Sequence, residues 1–167
     1  MTKAAWMDEA GNQKTAVILD TETVEARIGT MYPAQFSGPC EKREKKVLGN
    51  PFGLSQFGVN LTTLAPGVWS ARRHWHSNED EFVYVVEGEL VLIDDDGEHV
   101  LTKGMCAGFP AGDENGHHLV NKSDKPARYL EVGSRMPTET AHYPDDDLIA
   151  KKTTDGFVFT NRKGKAY

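Results

Sequence analysis

The segment from residue 74 to residue 81 reads His74-Trp75-His76-Ser77-Asn78-Glu79-Asp80-Glu81 and is dense in side chains that can bind a metal. Residues two apart in a β-strand point to the same face, so His74 and His76 project into one space. Glu81 follows after a short loop, and its carboxylate can reach the same space. Neutral imidazole and carboxylate are ordinary ligands of zinc, iron, manganese, nickel and cobalt. The segment therefore predicts a metal site built on paired strands.

A third histidine is available further along the chain, in the segment GHHLVN at residues 116–121. His117 and His118 are adjacent there, and either could complete the cluster on the strength of position alone. Three histidines and a carboxylate that converge without an ion would leave buried polar groups unpaired, which is costly. We therefore expect the cluster to bind a metal.

The rest of the sequence predicts many short antiparallel strands, because glycines and prolines recur every ten or so residues between β-branched and aromatic stretches. One strong hairpin signal is Asp96-Gly97, which separates two apolar runs. The pattern predicts an all-β sandwich or barrel. Its strands are predicted at 16–19, 57–64, 68–76, 81–87, 89–93, 98–102, 105–109, 117–121 and 127–132, with a further short one at 156–160.

The predicted strands concentrate between residues 55 and 135, which we interpret as the barrel core of a one-domain protein. Residues 1–54 form an N-terminal arm with edge strands, and residues 136–167 form a C-terminal arm. Both arms are expected to wrap the barrel or a neighbouring subunit. A run of three aspartates at 145–147 in the second arm is interpreted as solvated or helix-capping, since adjacent aspartates diverge.

The spacing of these residues resembles the two sequence motifs of the cupin superfamily. Gly67 followed by His74-x-His76-x4-Glu81-x6-Gly88 is similar to the first motif, with one extra residue between Gly67 and His74. The resemblance is strongest to small single-domain bacterial cupins, which share an RHWH core, here at residues 73–76, and a late YPDDD run, here at 143–147.

The second cupin motif is matched by Gly104-x5-Pro110-x-Gly112 and then His117-x3-Asn121, with two extra residues before His117. The resemblance implies a double-stranded β-helix, a jelly-roll-like antiparallel barrel. It also implies one divalent metal ion, iron, manganese, zinc or nickel, held by His74, His76, Glu81 and His117. His117 is preferred to His118 because it keeps the three-residue gap to Asn121, and strand alternation then sends His118 to the other face.

The candidate catalytic residues are Glu81 and Arg72. Arg72 is a candidate because it lies two residues before His74 and therefore on the same face of the strand. A guanidinium there could clamp a substrate carboxylate or phosphate through two hydrogen bonds. The alternative is a salt bridge within the barrel wall, with Glu131 as a candidate partner. The two interpretations carry equal weight at this point.

Three functions remain open for such a site. The sequence favours a dioxygenase-like enzyme that acts on a small oxygen-rich metabolite with iron or manganese. The second is a redox-neutral isomerase, epimerase or lyase, with a sugar or sugar phosphate as the substrate class. The third is a non-catalytic barrel that binds a small ligand. Small cupins commonly pair, so we also expect a homodimer.

The bulk composition excludes several partners. A formal charge of −6 and a pI near 5.5 disfavour nucleic acid, which needs a basic face. A mean hydropathy of −0.53 disfavours a membrane protein.

No apolar signal segment precedes Asp8 and Glu9, so we expect a cytoplasmic protein. The two cysteines, Cys40 and Cys106, are too few for a disulfide framework or a thiolate site.

Overall fold

The structure is a computed structural model that describes residues 6–7, 13–14 and 18–167. Its described part is built from strands, with one short helix, α1 (Ala34–Ser37), and three single 3-10 turns at Thr21–Thr23, Gly38–Cys40 and Asn50–Phe52. No helix in the described ranges is long and apolar enough to cross a bilayer. The strands are β1 (Trp6–Met7), β2 (Gln13–Lys14), β3 (Ala26–Ile28), β4 (Glu44–Val47), β5 (Phe57–Leu64), β6 (Trp75–His76), β7 (Glu81–Glu87), β8 (Glu89–Asp94), β9 (Gly97–Thr102), β10 (Cys106–Phe109), β11 (His118–Val120), β12 (Ala127–Ser134), β13 (Thr140–Tyr143), β14 (Leu148–Thr153) and β15 (Gly156–Thr160).

The barrel has two walls of antiparallel strands. One is a six-stranded sheet in the order β10-β7-β12-β5-β4-β3. The other combines a three-stranded sheet, β11-β8-β9, with a four-stranded sheet, β15-β14-β13-β6. Backbone bridges between Trp69 and Val120 and between His74 and His117 join these two sheets into one wall. The predicted all-β antiparallel barrel is confirmed.

Side-chain alternation shows why these segments form walls around a core. On β7, Val83 and Val85 are 6% and 0% exposed. The residues that alternate with them, Phe82 and Tyr84, are 42% and 40% exposed. A period of two is what a strand with one buried face requires. The buried residues meet others from β5, β8, β9, β11 and β12 in one apolar cluster between the walls.

The predicted strands in the core agree with the structure within a few residues, and those at 57–64 and 81–87 agree at both ends. The predicted strand 68–76 is regular only at Trp75–His76, because residues 70–73 bend away from the ladder. The predicted strand 16–19 lies partly outside the described residues, and its described part, residues 18–19, is not a strand.

Both arms contribute strands to the walls. β3 and β4 extend the six-stranded sheet beyond β5, and β13 to β15 pair with β6 in the second wall. Of these, only β15 corresponds to a predicted strand. The arms are therefore part of the barrel wall in the described structure.

Candidate metal centre

The backbone brings the three histidines together at one end of the second wall. His74 and His117 face each other as an antiparallel pair, with N–O distances of 3.1 and 2.8 Å in the two directions. His76 follows two residues after His74 on β6, and Glu81 begins β7 after a four-residue turn. The antiparallel pairing of these two segments, which are distant in sequence, thus places the imidazoles beside the carboxylate.

The Oε2 atom of Glu81 is the centre of the group. It lies 3.0 Å from Nε2 of His117, 3.5 Å from Nε2 of His76 and 3.8 Å from Nε2 of His74. Atoms that each lie about 2.1 Å from one ion are separated by roughly 3.0–3.4 Å in octahedral or tetrahedral geometry. The distances to Oε2 are close to that spacing. The ligand atoms of His74, His76 and Glu81 all lie within 4.8 Å of one another, so these three side chains could hold one divalent ion, and His117 is joined to the group through its contact with Glu81.

His76 supplies a further test of the fit. Both of its ring nitrogens are buried without a hydrogen bond. A buried polar atom left unpaired costs free energy, which coordination to an ion would recover. The donor set of imidazole and carboxylate also suits first-row divalent metals.

The far nitrogens of the imidazoles face groups that fix the ring orientation. Nδ1 of His74 lies 2.8 Å from the carbonyl oxygen of Arg72, and Nδ1 of His117 lies 3.5 Å from that of Asn115. Nδ1 of His76 lies 3.4 Å from Oε1 of Glu139 but forms no hydrogen bond with it. A hydrogen-bonding partner on the outer side of a ligating histidine, as found for His74, orients the ring and raises its basicity.

Glu139 is the functional residue that sequence reasoning missed. It is 3% exposed, and its two carboxylate oxygens accept hydrogen bonds from the backbone N–H groups of Ser77 and Asn78, both at 2.9 Å. It therefore clamps the turn that links His76 to Glu81. No local signal identifies it, because it lies 62 residues from Ser77 along the chain.

The electrostatics of the group favour the ligating forms. Burial lowers the pKa of His74 to about 3, so its imidazole is neutral at pH 7. Burial alone would raise the pKa of Glu81, but the hydrogen bond with His117 and the nearby imidazoles of His76 and His74 outweigh it and lower that pKa. Glu81 is therefore an ionised carboxylate.

Aromatic rings stack on the faces of two of the imidazoles. Phe109 stacks on His117 with 3.5 Å between ring centroids and an interplanar angle of 1°. Tyr143 stacks on His74 at 5.6 Å. These contacts restrict the ring rotations that would carry the nitrogens away from the common point.

Comparisons with known proteins agree with this geometry. A family model described as a cupin domain matches residues 60–133. A sugar phosphate isomerase of the cupin superfamily from Silicibacter pomeroyi is 51% identical and superposes with a TM-score of 0.87, over 90% of this chain and 96% of that one. The chain belongs to the cupin superfamily.

More distant structures share the cupin fold alone. A candidate sugar phosphate isomerase from Acidithiobacillus ferrooxidans is 21% identical, with a TM-score of 0.76 over 90% of this chain and 95% of that one. The polyketide cyclase RemF from Streptomyces resistomycificus is 20% identical, with a TM-score of 0.59 over 70% of this chain and 78% of that one. No curated protein sequence matches the chain.

The candidate metal group of this cupin opens onto a cavity of about 220 Å³. The same cavity is lined by the cationic side chains of Arg43 and Lys45 and by Glu131. Three tyrosines, at positions 32, 129 and 143, also line it. A concave site where polar groups converge among aromatic side chains is typical of small-molecule binding.

Arg72 of this cupin forms a salt bridge and does not face the cavity. Its guanidinium donates two hydrogen bonds to Asp146, at 2.7 and 2.6 Å, and it is not among the residues that line the cavity. The wall salt bridge exists, but its partner is Asp146. Glu131 instead accepts from Lys45 and Asn60.

Asp145 and Asp147 are exposed, as expected for solvated residues, but the aspartate run at 145–147 also makes specific hydrogen bonds. Asp145 pairs with Arg73 through two hydrogen bonds of 2.7 Å, and Asp147 accepts from the backbone N–H of Arg162. The two arginines before His74 and the first two aspartates of the run thus fasten the C-terminal arm to the metal-binding segment.

His118 lies outside the candidate metal group. Its ring stacks on Trp69 with 4.6 Å between centroids. Burial lowers the pKa of His118 to about 4, with a further contribution from the charge of Arg73. Among the two adjacent histidines, the structure brings His117 to Glu81.

Proposed function

We propose that this cupin is a metal-dependent isomerase of a small phosphorylated sugar, with His74, His76, Glu81 and His117 as the metal ligands. The proposal is supported by the relative from Silicibacter pomeroyi, which is a sugar phosphate isomerase and is 51% identical over nearly its whole length. The observation in the structure that carries it is a metal group sharing one cavity with two cationic side chains.

The cavity suits a ligand that carries both metal-binding oxygen atoms and an anionic group. A divalent ion in the group would supply a Lewis acid and a template for two adjacent oxygens of the substrate. Arg43 supplies positive charge in the same space, where Lys45 is a second cation, paired with Glu131 at 2.7 Å. Arg43 is held in place by hydrogen bonds to the carbonyl oxygens of Gly29 and Ser70, so its charge is fixed before a ligand arrives.

A dioxygenase and a non-catalytic binding protein are the two alternative functions, and an experiment can distinguish them from an isomerase. The sequence favoured a dioxygenase-like reaction, and the same ligand types suit iron as well as zinc or manganese. The identity to a redox-neutral enzyme shifts the weight to isomerisation. A non-catalytic barrel would bind sugar phosphates without converting them.

The test begins with protein purified without chelator or nickel resin and analysed for bound metals. The protein is then incubated with glucose 6-phosphate, mannose 6-phosphate, fructose 6-phosphate, ribose 5-phosphate and ribulose 5-phosphate. Conversion is followed by NMR and oxygen consumption by an electrode. Metal-dependent interconversion of an aldose and a ketose phosphate without oxygen uptake supports the proposal. Substrate-dependent oxygen uptake contradicts it in favour of an oxygenase, and binding without turnover contradicts it in favour of a binder.

We further propose that two copies of the chain associate through the outer face of the six-stranded sheet. Exposed apolar side chains on that face, Phe82 and Tyr84 among them, support this arrangement.

A further inference from the structure

We infer that Glu131 is the general base that moves the proton between the two reacting carbons, an inference that rests on the proposed isomerase function. Aldose–ketose isomerisation through an enediol moves a proton between two carbons and therefore needs a general base. Glu81 is engaged with the three imidazoles. Among the described residues that line the cavity, Glu131 is the one carboxylate outside the metal group.

The register of the sheet places Glu131 next to the metal group. On the neighbouring strands β7 and β12, Glu81 pairs with Gly133 and Val83 pairs with Glu131. Glu131 is thus the diagonal neighbour of Glu81 on the same inward face, and such neighbours are roughly 7–8 Å apart, with their Cβ atoms somewhat closer. A substrate that contacts the metal group with its first oxygens would present its second carbon towards Glu131.

The hydrogen bonds of Glu131 leave one oxygen free for this role. Its Oε1 atom accepts from Nζ of Lys45 at 2.7 Å and from Nδ2 of Asn60 at 3.0 Å. Within residues 18–167, no hydrogen bond is made to Oε2. The two donors fix the position of the carboxylate. The unbonded oxygen can therefore accept a proton from the substrate.

The proton transfer balances without any oxidant or reductant. Glu131 takes the proton from C2 of the open-chain aldose phosphate, the C–H electron pair forms a C1–C2 double bond, and the former carbonyl pair resides on O1. The hydroxyl proton of O2 passes to O1. The protonated Glu131 then returns its proton to C1, and C2 becomes the carbonyl of the ketose.

The competing interpretation is that the pair of Lys45 and Glu131 only braces the barrel wall. The variant Glu131→Gln separates the two, because a glutamine oxygen can still accept from Lys45 and Asn60 but cannot take a proton. The matched control is Glu98→Gln, which changes an exposed glutamate that pairs with Lys122 at 2.6 Å.

Both variants are assayed in the metal-loaded form with the aldose phosphate that the wild-type protein converts. Deuterium entry at C2 of the substrate and C1 of the product is followed by NMR in D2O. Binding of 6-phosphogluconate, which has no aldehyde to isomerise, is measured by calorimetry. For Glu131→Gln we expect kcat and deuterium exchange to fall at least about 100-fold, with unchanged metal content and unchanged 6-phosphogluconate affinity.

Wild-type kcat and exchange in Glu131→Gln would overturn the inference and leave the proposed function intact. A wild-type protein that converts no sugar phosphate would overturn both. If the glutamine variant does not fold, Glu131→Asp decides the question, since it keeps the charge beside Lys45 and withdraws the carboxylate by one methylene. A fall in kcat without a matching rise in KM supports proton transfer, and an unchanged kcat overturns it.

Discussion

At the scale of single residues, His76 is the most direct test of the metal site. Replacing His76 with alanine removes one of the four proposed ligands and leaves an open position in the group. We expect the purified variant to retain less than about a tenth of the wild-type metal content, because the remaining ligands no longer surround the ion. Metal content is measured by elemental analysis, and circular dichroism reports whether the barrel remains folded.

The matched control for His76 is His99→Ala, which removes an exposed histidine that pairs with Asp94. It should keep the full metal content. Stoichiometric metal in the folded His76→Ala protein would refute the proposed ligand set.

The residues of the site divide into those that local sequence can predict and those that it cannot. His74 and His76 follow from strand alternation, and Glu81 follows from the short turn after them. Glu139 and Asp146 could not be predicted, because their partners lie 62 and 74 residues away and no local pattern connects them. Contacts of this kind depend on which strands become neighbours.

At the scale of elements, the C-terminal arm supports the metal-binding turn through Glu139. Glu139→Gln keeps the shape of the side chain but replaces one accepting oxygen with an N–H donor, opposite backbone N–H groups. We expect a 10–100-fold loss of metal affinity, on the order seen for residues that orient a ligating histidine. The free energy of unfolding should also fall by about 1–3 kcal/mol, because one buried donor loses its partner.

Metal affinity is measured by competition with a fluorescent chelator, and stability by urea unfolding. The control is Asp155→Asn, in the turn between β14 and β15 of the same arm. Wild-type metal affinity in the glutamine variant would show that the carboxylate braces the turn without affecting the site.

The two arginine–aspartate pairs that fasten the arm should differ in strength. In the pair of Arg72 and Asp146 the side chains are 21% and 11% exposed, whereas Asp145, the partner of Arg73, is 55% exposed. Solvent screens the second pair more than the first. Double-mutant cycles with Arg→Gln and Asp→Asn changes should give a coupling energy of about 1–3 kcal/mol for the first pair.

The same cycle should give less than about 1 kcal/mol for Arg73 and Asp145. Urea unfolding measures both energies. Equal couplings, or a larger one for the exposed pair, would contradict the assignment of the Arg72–Asp146 pair as the main fastening of the arm.

The strands of the arms also show where sequence reasoning fails at this scale. β4 has the sequence EKKV, and the aspartate run and Pro144 directly precede β14. Neither stretch has the apolar alternation by which the core strands were recognised. Such strands form because a neighbouring strand offers an unpaired edge, and that edge exists only in the folded barrel.

At the scale of the whole molecule, the arms complete the cavity. The cupin family model covers residues 60–133, but the cavity wall includes Tyr32 from the first arm and Tyr143 and Phe159 from the second. Their rings contact one another, with centroids 5.7 and 5.8 Å apart between Tyr32 and the other two. The barrel core thus supplies the proposed ligands, and the arms shape the space that a substrate occupies.

The outer face of the six-stranded sheet bears on the oligomeric state. Phe57, Phe82 and Tyr84 are 40–42% exposed there, and strand pairing places Leu130 and Val132 between them. Burial of such a patch against a second copy would remove apolar surface from water, which favours association. We expect the wild-type chain, of 18.5 kDa, to run as a dimer in size-exclusion chromatography with light scattering.

Phe82→Lys places a charge within this apolar patch and should yield a monomer that retains the metal, because the side chain points away from the cavity. Val100→Lys is the matched control, since Val100 is 54% exposed on β9, in the other wall of the barrel. It should remain a dimer. A monomeric wild-type protein would refute the association itself, whereas a dimer that survives Phe82→Lys but not Val100→Lys would place the interface on the opposite wall.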